Sequence, residues 1–224
     1  MKEIEQFYSS LYTTNNPKKD EIVQYINECK TNNRLSDTER DKCEGKLTVA
    51  ECTSAIKKFK PNKSPGSDGL SAEFYKTFWH KIDNIVVDSL NYAYKNGELS
   101  DSQKIGVVSL IYKKNDALDL KNWRPITLLN IDYKIAAHAL AERLKTVISK
   151  IIDTDQNGYL KNRFIGYNIR QIQDIIDYSE KFNIDACVIF LDFSKAFDTI
   201  EWEFMYESLK KFGFGSSFIL LQQC

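Results

Sequence analysis

Asp192 is the residue of this sequence best suited to carry chemistry. It directly follows residues 186–191 (Ala-Cys-Val-Ile-Phe-Leu), a run that is continuously apolar and partly β-branched. Such a run predicts a strand that is buried on both faces. An unpaired carboxylate at the end of a buried strand is costly or becomes protonated. We therefore expect Asp192 either to cap a local turn or to meet a cation.

The residues after Asp192 predict a short turn and then a helix. Phe197 lies five residues further on, and Asp198 precedes the amphipathic segment 199–212. Asp198 is predicted to be the N-cap of this helix, with Glu201 completing a capping box. Gly213 is the predicted C-terminal stop. Because Asp198 has this structural role, Asp192 is the carboxylate that is left without one.

Composition sets wide bounds on function. The 224 residues are 42% hydrophobic, which is enough for one large domain or two small ones. The 31 basic residues balance the 31 acidic ones, which argues against a uniformly basic nucleic-acid binder. A neutral total still permits a basic face. Two basic runs, at residues 57–66 and 104–124, are candidates for such a face, and solvated loops are the alternative.

The cysteines and histidines do not form a metal-binding motif. The five cysteines contain no CxxC pair, and the two histidines stand apart, so no zinc site is predicted. Small buried thiols in a reducing compartment are expected. The first residues are polar, and no apolar stretch approaches the roughly 20 residues that span a bilayer. We expect an intracellular, soluble protein of the cytoplasm and nucleus that is not secreted.

The remaining periodicities predict a helix-rich chain with a small β-sheet. Helical patterns cover residues 47–59, 71–97, 131–152 and 165–182, and strand patterns cover residues 105–112 and 125–129. Thr48 and Glu51 predict a capping box. The last two helices have apolar stripes that should face the core. Residues 1–46 carry only short helical patterns and are predicted to be a linker or adaptor.

The two predicted strands form a hairpin with a basic tip. Lys113, Lys114, Lys121 and Arg124 lie in or beside the polar loop between them. These side chains are able to hold an anion, and an arginine can bind a phosphate through two parallel hydrogen bonds. A second polar loop, Lys63 to Gly69, packs turn-forming residues around a lysine.

Taken in order, these segments resemble the reverse transcriptase of LINE-type non-LTR retrotransposons. The matching segments are KSPGSDGLSAEFYK from Lys63, VVSLIYKK from Val107, NWRPITLLNIDYKIAAHALAERL from Asn122, DQNGYLKNR from Asp155 and FLDFSKAFDTIEW from Phe190. They cover residues 47 to about 213 in the family's order. The resemblance implies an α+β right-hand polymerase fold with fingers at residues 47–185 and the start of the palm at 186–224. The second palm carboxylates and the thumb are expected to be missing.

The resemblance also implies roles for individual residues. Asp192 matches the catalytic carboxylate that binds metal, and the backbone carbonyl of Phe193 would be a further ligand. Phe197 matches the aromatic residue under the incoming sugar, and Arg124 with Lys113 or Lys114 matches the triphosphate-binding residues. The residues that match the template and nucleotide path are Lys63, Ser64, Pro65, Gly66, Asp68, Gly69, Gln156, Gly158 and Arg163. The sequence departs from the family at three positions, Ser67, Tyr159 and Asn162, where Pro, Phe and Gly are usual.

The implied partners are an RNA template, a DNA primer and deoxynucleoside triphosphates, with no membrane. The oligomeric state stays open. The implied cofactor is Mg²⁺ or Mn²⁺, expected only in the complete domain. Two-metal nucleotidyl transfer needs more than one carboxylate, and the family supplies two more from a later aspartate pair. The sequence contains no Asp-Asp dipeptide. This chain alone is therefore expected to polymerise nothing.

Three hypotheses follow. The first is an incomplete segment of an active reverse transcriptase. The second is a non-catalytic nucleic-acid-binding remnant, whose RNA binding would be salt-sensitive and independent of Asp192. The third is an inert relic of a retroelement that folds poorly, because an incomplete palm leaves an open sheet edge and exposed apolar surface.

Overall fold

Helices account for most of the regular structure in the computed structural model, which describes residues 2–14, 16–31, 33–193 and 195–223. The elements in these residues are α1 (Lys2–Tyr12), α2 (Lys19–Glu28), α3 (Asp37–Cys43), α4 (Val49–Lys58), α5 (Ala72–Asn96), α6 (Asp101–Lys104), β1 (Val107–Tyr112), β2 (Trp123–Leu128), α7 (Ile131–Ile151), α8 (Gly166–Lys181), α9 (Ala196–Thr199), α10 (Trp202–Lys211) and α11 (Ser216–Gln223). The predicted helix-rich fold with a small sheet is confirmed.

The ends of the longer helices follow local chemistry. The Thr48 side chain accepts a hydrogen bond from the Glu51 backbone N–H, and the Glu51 carboxylate accepts one from the Thr48 N–H, so the predicted capping box of α4 is confirmed. The Ser71 hydroxyl accepts a hydrogen bond from the Phe74 N–H at the start of α5. Gly97 ends α5 with a φ of +67°, in the left-handed region that glycine adopts at low cost.

The core lies where α4, α5 and α7 pack against one another. Ile56 of α4 and Ile135 and Val147 of α7 are almost fully buried there. Phe218 of α11 is also buried in this cluster, so the last helix is part of the same core. The apolar residues of α4, α5 and α7 recur at helical spacing, and these three helices form where the sequence predicts them.

The helices α2 and α3, which precede residue 46, contribute to the packing. α2 packs on α10 and buries Ile22 and Ile26, while α3 packs on α7 and buries Cys43. A capping box between Ser36 and Glu39 begins α3. The domain boundary at residue 46 stays a prediction.

Arg143 of α7 ties the segment before α4 to the core. Its buried guanidinium donates to the carbonyl oxygens of residues 43–46 over 2.7 to 3.2 Å. It also forms a two-point ion pair with Glu51, at 2.6 and 3.0 Å. Burial alone would raise the pKa of Glu51, but the hydrogen bonds from Arg143 and Thr48 outweigh it and lower that pKa to about 2.

The predicted buried strand at residues 186–191 is wrong. The segment forms no regular secondary structure and pairs with no strand, because the two strands in the described part of the chain, β1 and β2, pair with each other. Ile189, Phe190 and Leu191 are 73%, 81% and 85% exposed. A strand buried on both faces requires neighbouring strands and a covering layer, and the apolar run cannot provide these by itself.

The predicted helix over residues 199–212 is interrupted. Asp198 lies inside the short helix α9, and its carboxylate accepts a hydrogen bond from the Tyr12 hydroxyl at 3.4 Å. Glu201 occupies the N-cap position of α10 without a side-chain cap. The predicted capping box is therefore wrong. The predicted stop is confirmed, because α10 ends at Lys211 and Gly213 has a φ of +89°.

α8 forms where predicted but does not face the core. No residue of this helix is buried, and Tyr167 and Ile169 are 67% and 58% exposed. Its apolar stripe predicted the helix correctly, whereas burial depends on a second layer that the described residues do not place over it.

The cysteines only partly match the expectation of buried thiols. Cys43 and Cys52 are buried, whereas Cys29 and Cys187 are exposed. Cys224 lies outside the described residues. Among the helices that the structure describes, none is long and apolar enough to span a membrane.

Candidate functional site

The antiparallel hairpin of β1 and β2 presents the predicted anion-binding residues. Its register places Arg124 opposite Ile111 and Trp123 opposite Tyr112. Residues paired across a sheet lie on the same face, so the side chains of Arg124 and Ile111 share one face. The Lys113 N–H donates to the Asn122 carbonyl at 2.9 Å, which extends the pairing by one step. Because side chains alternate between the two faces along a strand, Lys113 lies on the same face as Ile111 and Arg124.

The basic side chains of the hairpin are free to bind a ligand. Arg124, Lys113 and Lys114 are exposed. None of them takes part in a salt bridge between described residues, in contrast to Lys104, which pairs with Glu98 at 2.7 Å. Exposed guanidinium and ammonium groups without a salt-bridge partner are able to bind an anion such as a phosphate.

The tip of the hairpin is held in shape by its own hydrogen bonds. The Trp123 indole N–H donates to the Ala117 carbonyl at 2.9 Å. The Asn122 side chain donates to the Asp116 carbonyl, also at 2.9 Å. The rings of Tyr112 and Trp123 pack with their centroids 5.4 Å apart. The two aromatic rings pack on one face of the hairpin and hold β2 in place. Arg124 lies on the opposite face of the same strand.

The loop Lys63–Gly69 is joined to the end of β2 through one buried side chain, that of Asn130. The Ser67 hydroxyl and the Asp68 backbone N–H donate to Asn130 Oδ1 at 3.4 and 3.3 Å. The Asn130 side-chain amide donates to the Ser102 carbonyl at 2.9 Å. Gly66 approaches so closely that a Cβ atom at this position would lie 2.0 Å from Asn130 Oδ1. Sequence reasoning missed Asn130.

The rest of this loop is open to solvent. Lys63, Ser64, Asp68 and Gly69 are exposed, and Pro65 is half-buried. The Asp68 carboxylate accepts from the Leu70 N–H at 3.0 Å, which closes a tight turn inside the loop. Hydrogen bonds hold the second half of the loop, and Lys63 lies at its exposed start.

The segment 153–164 is shaped by Arg163. The guanidinium of Arg163 donates to the carbonyls of Asp153, Gln156 and Ile152, the last two at 2.7 and 3.1 Å. These contacts hold the loop, while the Gln156 side chain is exposed. A Cβ atom at Gly158 would meet nothing within 4 Å, so that position has room for a side chain.

Two departures from the family pattern have positive φ angles. Asn162 has a φ of +65° and Tyr159 one of +63°. Glycine is the usual residue at the first of these positions, and asparagine is among the residues that tolerate this backbone region best. Tyr159 is almost fully exposed, and its ring lies edge-on to that of Phe197 with centroids 6.4 Å apart. The structure thus brings Phe197 next to the segment 153–164.

Asp192 and Phe193 lie on the exposed segment that follows residues 186–191. Phe193 is 80% exposed, and the Asp192 carboxylate is on the surface. The described residues contain no group of three His, Cys, Asp or Glu side chains that is able to hold a metal ion. One carboxylate and one backbone carbonyl do not fit a two-metal site.

The N-terminal helix α1 touches both regions that carry predicted site residues. The Tyr8 hydroxyl donates to the Trp123 carbonyl at 3.5 Å, next to Arg124. The Tyr12 hydroxyl donates to Asp198, next to Phe197. Partial burial raises the pKa of both tyrosines, and the negative charge of Asp198 adds to the effect. Nothing in the sequence of α1 predicted these contacts, since each spans more than 100 residues.

Comparisons with known proteins identify relatives. Residues 111–224 match the family described as reverse transcriptase (RNA-dependent DNA polymerase). An uncharacterised 149 kDa protein of transposon TX1 from Xenopus laevis is 35% identical over 83% of this chain, which spans 14% of that protein. A Pol polyprotein of the retrotransposable element R2DM from Drosophila melanogaster is 25% identical over 70% of the chain and 14% of its own length. A Pol polyprotein of the retrotransposable element R2 from Popillia japonica is 26% identical over 73% of this chain and 22% of its own length. The chain therefore spans less than a quarter of the length of each of these relatives.

Proposed function

Because this chain belongs to the reverse transcriptase (RNA-dependent DNA polymerase) family, we propose that it forms the fingers and the start of the palm of an RNA-directed DNA polymerase. The predicted resemblance to reverse transcriptases of LINE-type non-LTR retrotransposons is confirmed. The proposed substrates are an RNA template, a DNA primer and deoxynucleoside triphosphates. The proposed location is the cytoplasm and nucleus.

The basic face of the hairpin is the observation that carries this proposal. Arg124 and Lys113 lie on one face and have no salt-bridge partner in the described structure. We assign them to the triphosphate of the incoming nucleotide, because a guanidinium and an ammonium together neutralise and orient phosphate oxygens. Strand alternation favours Lys113 over Lys114 for this role, since Lys114 lies one residue further into the tip.

The template path is assigned to the loop Lys63–Gly69 and to the segment 153–164. Lys63 is exposed, which suits contact with a phosphate of the RNA strand. Gln156 and Gly158 offer an exposed polar side chain and an open position. We propose that Arg163 acts by shaping this segment, because its guanidinium already donates to backbone carbonyls.

Asp192 is proposed as one metal ligand of the complete enzyme, with the Phe193 carbonyl beside it. Reverse transcriptases generally use divalent metal ions, and Mg²⁺ prefers oxygen ligands. The described residues do not complete such a site. The chain by itself is therefore expected to bind substrates without extending a primer.

Photo-crosslinking with a radiolabelled dATP analogue that carries a photoreactive azidoanilide on its γ-phosphate tests the triphosphate site. We expect crosslinks on peptides of residues 105–130, competed by unlabelled dATP and by inorganic triphosphate, and reduced about tenfold in Arg124→Ala. Lys95→Ala, at an exposed lysine near the end of α5, is the matched control and should crosslink like the wild type. Crosslinks that map elsewhere, or that survive Arg124→Ala, would contradict the assignment.

A second candidate function is nucleic-acid binding without catalysis. It is favoured by the finding that the described residues contain no group of three His, Cys, Asp or Glu side chains able to hold a metal ion. Primer extension on an RNA template with Mg²⁺ or Mn²⁺ separates the two functions. Metal-dependent extension by this chain that is lost in Asp192→Asn would establish catalysis, whereas RNA binding that is unaffected by Asp192→Ala and yields no extension supports binding alone.

A further inference from the structure

Asn130 is a buried polar residue whose side chain does not have the role that its position predicts. It occupies the N-cap position of α7, where an asparagine usually accepts a hydrogen bond from the first turn of its own helix. The Asn130 side chain makes no such cap bond. It is 2% exposed, and its three side-chain hydrogen bonds all go to other segments.

These bonds join three segments at one point. The acceptor Oδ1 receives the Asp68 N–H and the Ser67 hydroxyl from the loop Lys63–Gly69. The donor Nδ2 reaches the carbonyl of Ser102 in α6, the helix that precedes β1. Asn130 itself follows β2, the strand that carries Arg124. The buried amide therefore links the loop to α6, which precedes β1, and to the residue position that follows β2.

The close approach of Gly66 makes this joint specific. A Cβ atom there would lie 2.0 Å from Asn130 Oδ1 and 2.5 Å from the Asn130 backbone nitrogen. Backbone cannot move aside as a flexible side chain does, so any larger residue at position 66 displaces the loop. Gly66 and Asn130 thus depend on each other for their packing.

We propose that Asn130 is a positioning residue. It holds the loop Lys63–Gly69 at a fixed position relative to the hairpin, in the geometry that binds the RNA template strand. This inference rests on the proposed function, because it assigns the loop to template. Without the Asn130 amide, the Asp68 N–H and the Ser102 carbonyl lose their partners, and Lys63 projects from a mobile loop. RNA binding then weakens although Asn130 never touches RNA.

Asn91 provides a matched control. It also bridges a backbone with both ends of its amide: Oδ1 accepts from the Leu47 N–H at 2.8 Å, and Nδ2 donates to the Leu47 carbonyl at 2.9 Å. Asn91→Ala therefore removes a comparable set of hydrogen bonds at a distance from the loop. Both alanine variants should lower Tm by a similar amount. A difference between their RNA affinities would therefore reflect the position of the loop and not the stability of the fold.

The experiment combines hydrogen–deuterium exchange of the free 224-residue chain with fluorescence anisotropy of a labelled single-stranded RNA. In Asn130→Ala we expect the amides of residues 66–69 to exchange about tenfold faster and the RNA Kd to rise about tenfold. In Asn91→Ala both should stay at the wild-type level. As a second variant, Gly66→Ala should reproduce the Asn130→Ala result.

The outcomes separate this inference from the proposed function. Unchanged exchange in Asn130→Ala overturns the inference, and so does a faster-exchanging loop with unchanged RNA affinity. A wild-type chain that is folded but does not bind RNA overturns the proposed function and this role of Asn130 together. If Asn130→Ala does not fold, the test uses the slowing of hydrogen exchange in residues 63–69 when RNA binds. The inference holds if RNA slows exchange there in the wild type and not in Gly66→Ala, and it is refuted if RNA does not slow exchange there in the wild type.

Discussion

Replacing Arg143 by alanine should destabilise the chain more than any exposed arginine would. The substitution removes four hydrogen bonds to the carbonyls of residues 43–46 and the ion pair with Glu51. Breaking a buried pair by deleting one partner costs about 3–5 kcal/mol. The Glu51 side chain is 31% exposed, so water can partly solvate it, and we expect a loss near the lower end, about 3 kcal/mol.

The same substitution should change how stability depends on pH. The folded-state pKa of Glu51 is about 2, below its ordinary value of 4.5. Its stabilisation is therefore fully present above about pH 4.5 and is lost as the pH falls toward 2. The gap in unfolding free energy between wild type and Arg143→Ala should narrow by about 1–2 kcal/mol between pH 7 and pH 3, after allowance for solvent screening at the partly exposed carboxylate of Glu51.

Urea denaturation followed by tryptophan fluorescence at both pH values measures these effects. Arg40→Ala is the control, because Arg40 forms an exposed ion pair with Asp37 at 2.9 Å and should contribute less than about 1 kcal/mol. The reasoning fails if Arg143→Ala costs no more than Arg40→Ala. It also fails if the gap between wild type and Arg143→Ala stays constant down to pH 3, since Glu51 would then not be the titrating partner.

Two further predictions concern glycines and thiols. Gly66→Ala should cost about 1–3 kcal/mol in urea denaturation because its Cβ would collide with Asn130, whereas Gly158→Ala, in open space, should change stability by less than about 1 kcal/mol; equal costs would contradict the packing. Burial raises the pKa of Cys52 to about 11 and also raises that of Cys43. Iodoacetamide near neutral pH should therefore modify the exposed thiols and spare the buried ones, read by peptide mass spectrometry, with Cys29 and Cys187 in the first group and Cys43 and Cys52 in the second. Protection of Cys187 would mean that residues 186–191 are covered.

Local patterns predicted the elements whose formation depends on neighbouring residues. The capping box of α4 and the left-handed stop of α5 at Gly97 need only residues a few positions apart. The hairpin of β1 and β2 was also predicted, and it brings Arg124 and Lys113 to one face. Such features are encoded within short segments, so a single sequence is enough to find them.

Features that depend on distant partners were missed or mistaken. Arg143 and Asn130 read as ordinary positions in the sequence, and their hydrogen bonds join residues about 100 and about 60 positions away. The run at 186–191 has strand composition, but its burial requires neighbouring strands that the described residues do not supply. The composition of a segment indicates which secondary structure it is able to form, whereas the segments that pack against it determine which one it forms.

RNA binding by the 224-residue chain as a function of salt tests the central claim most directly. If the loop Lys63–Gly69 and the segment 153–164 bind a template, log Kobs should fall linearly with log salt concentration. Replacing Lys63 by alanine should make that slope shallower, by about 0.7 for the phosphate contact removed. Asp192→Ala should leave the slope and the affinity unchanged. A folded chain that shows no RNA binding, or binding that is insensitive both to salt and to Lys63→Ala, would contradict the claim.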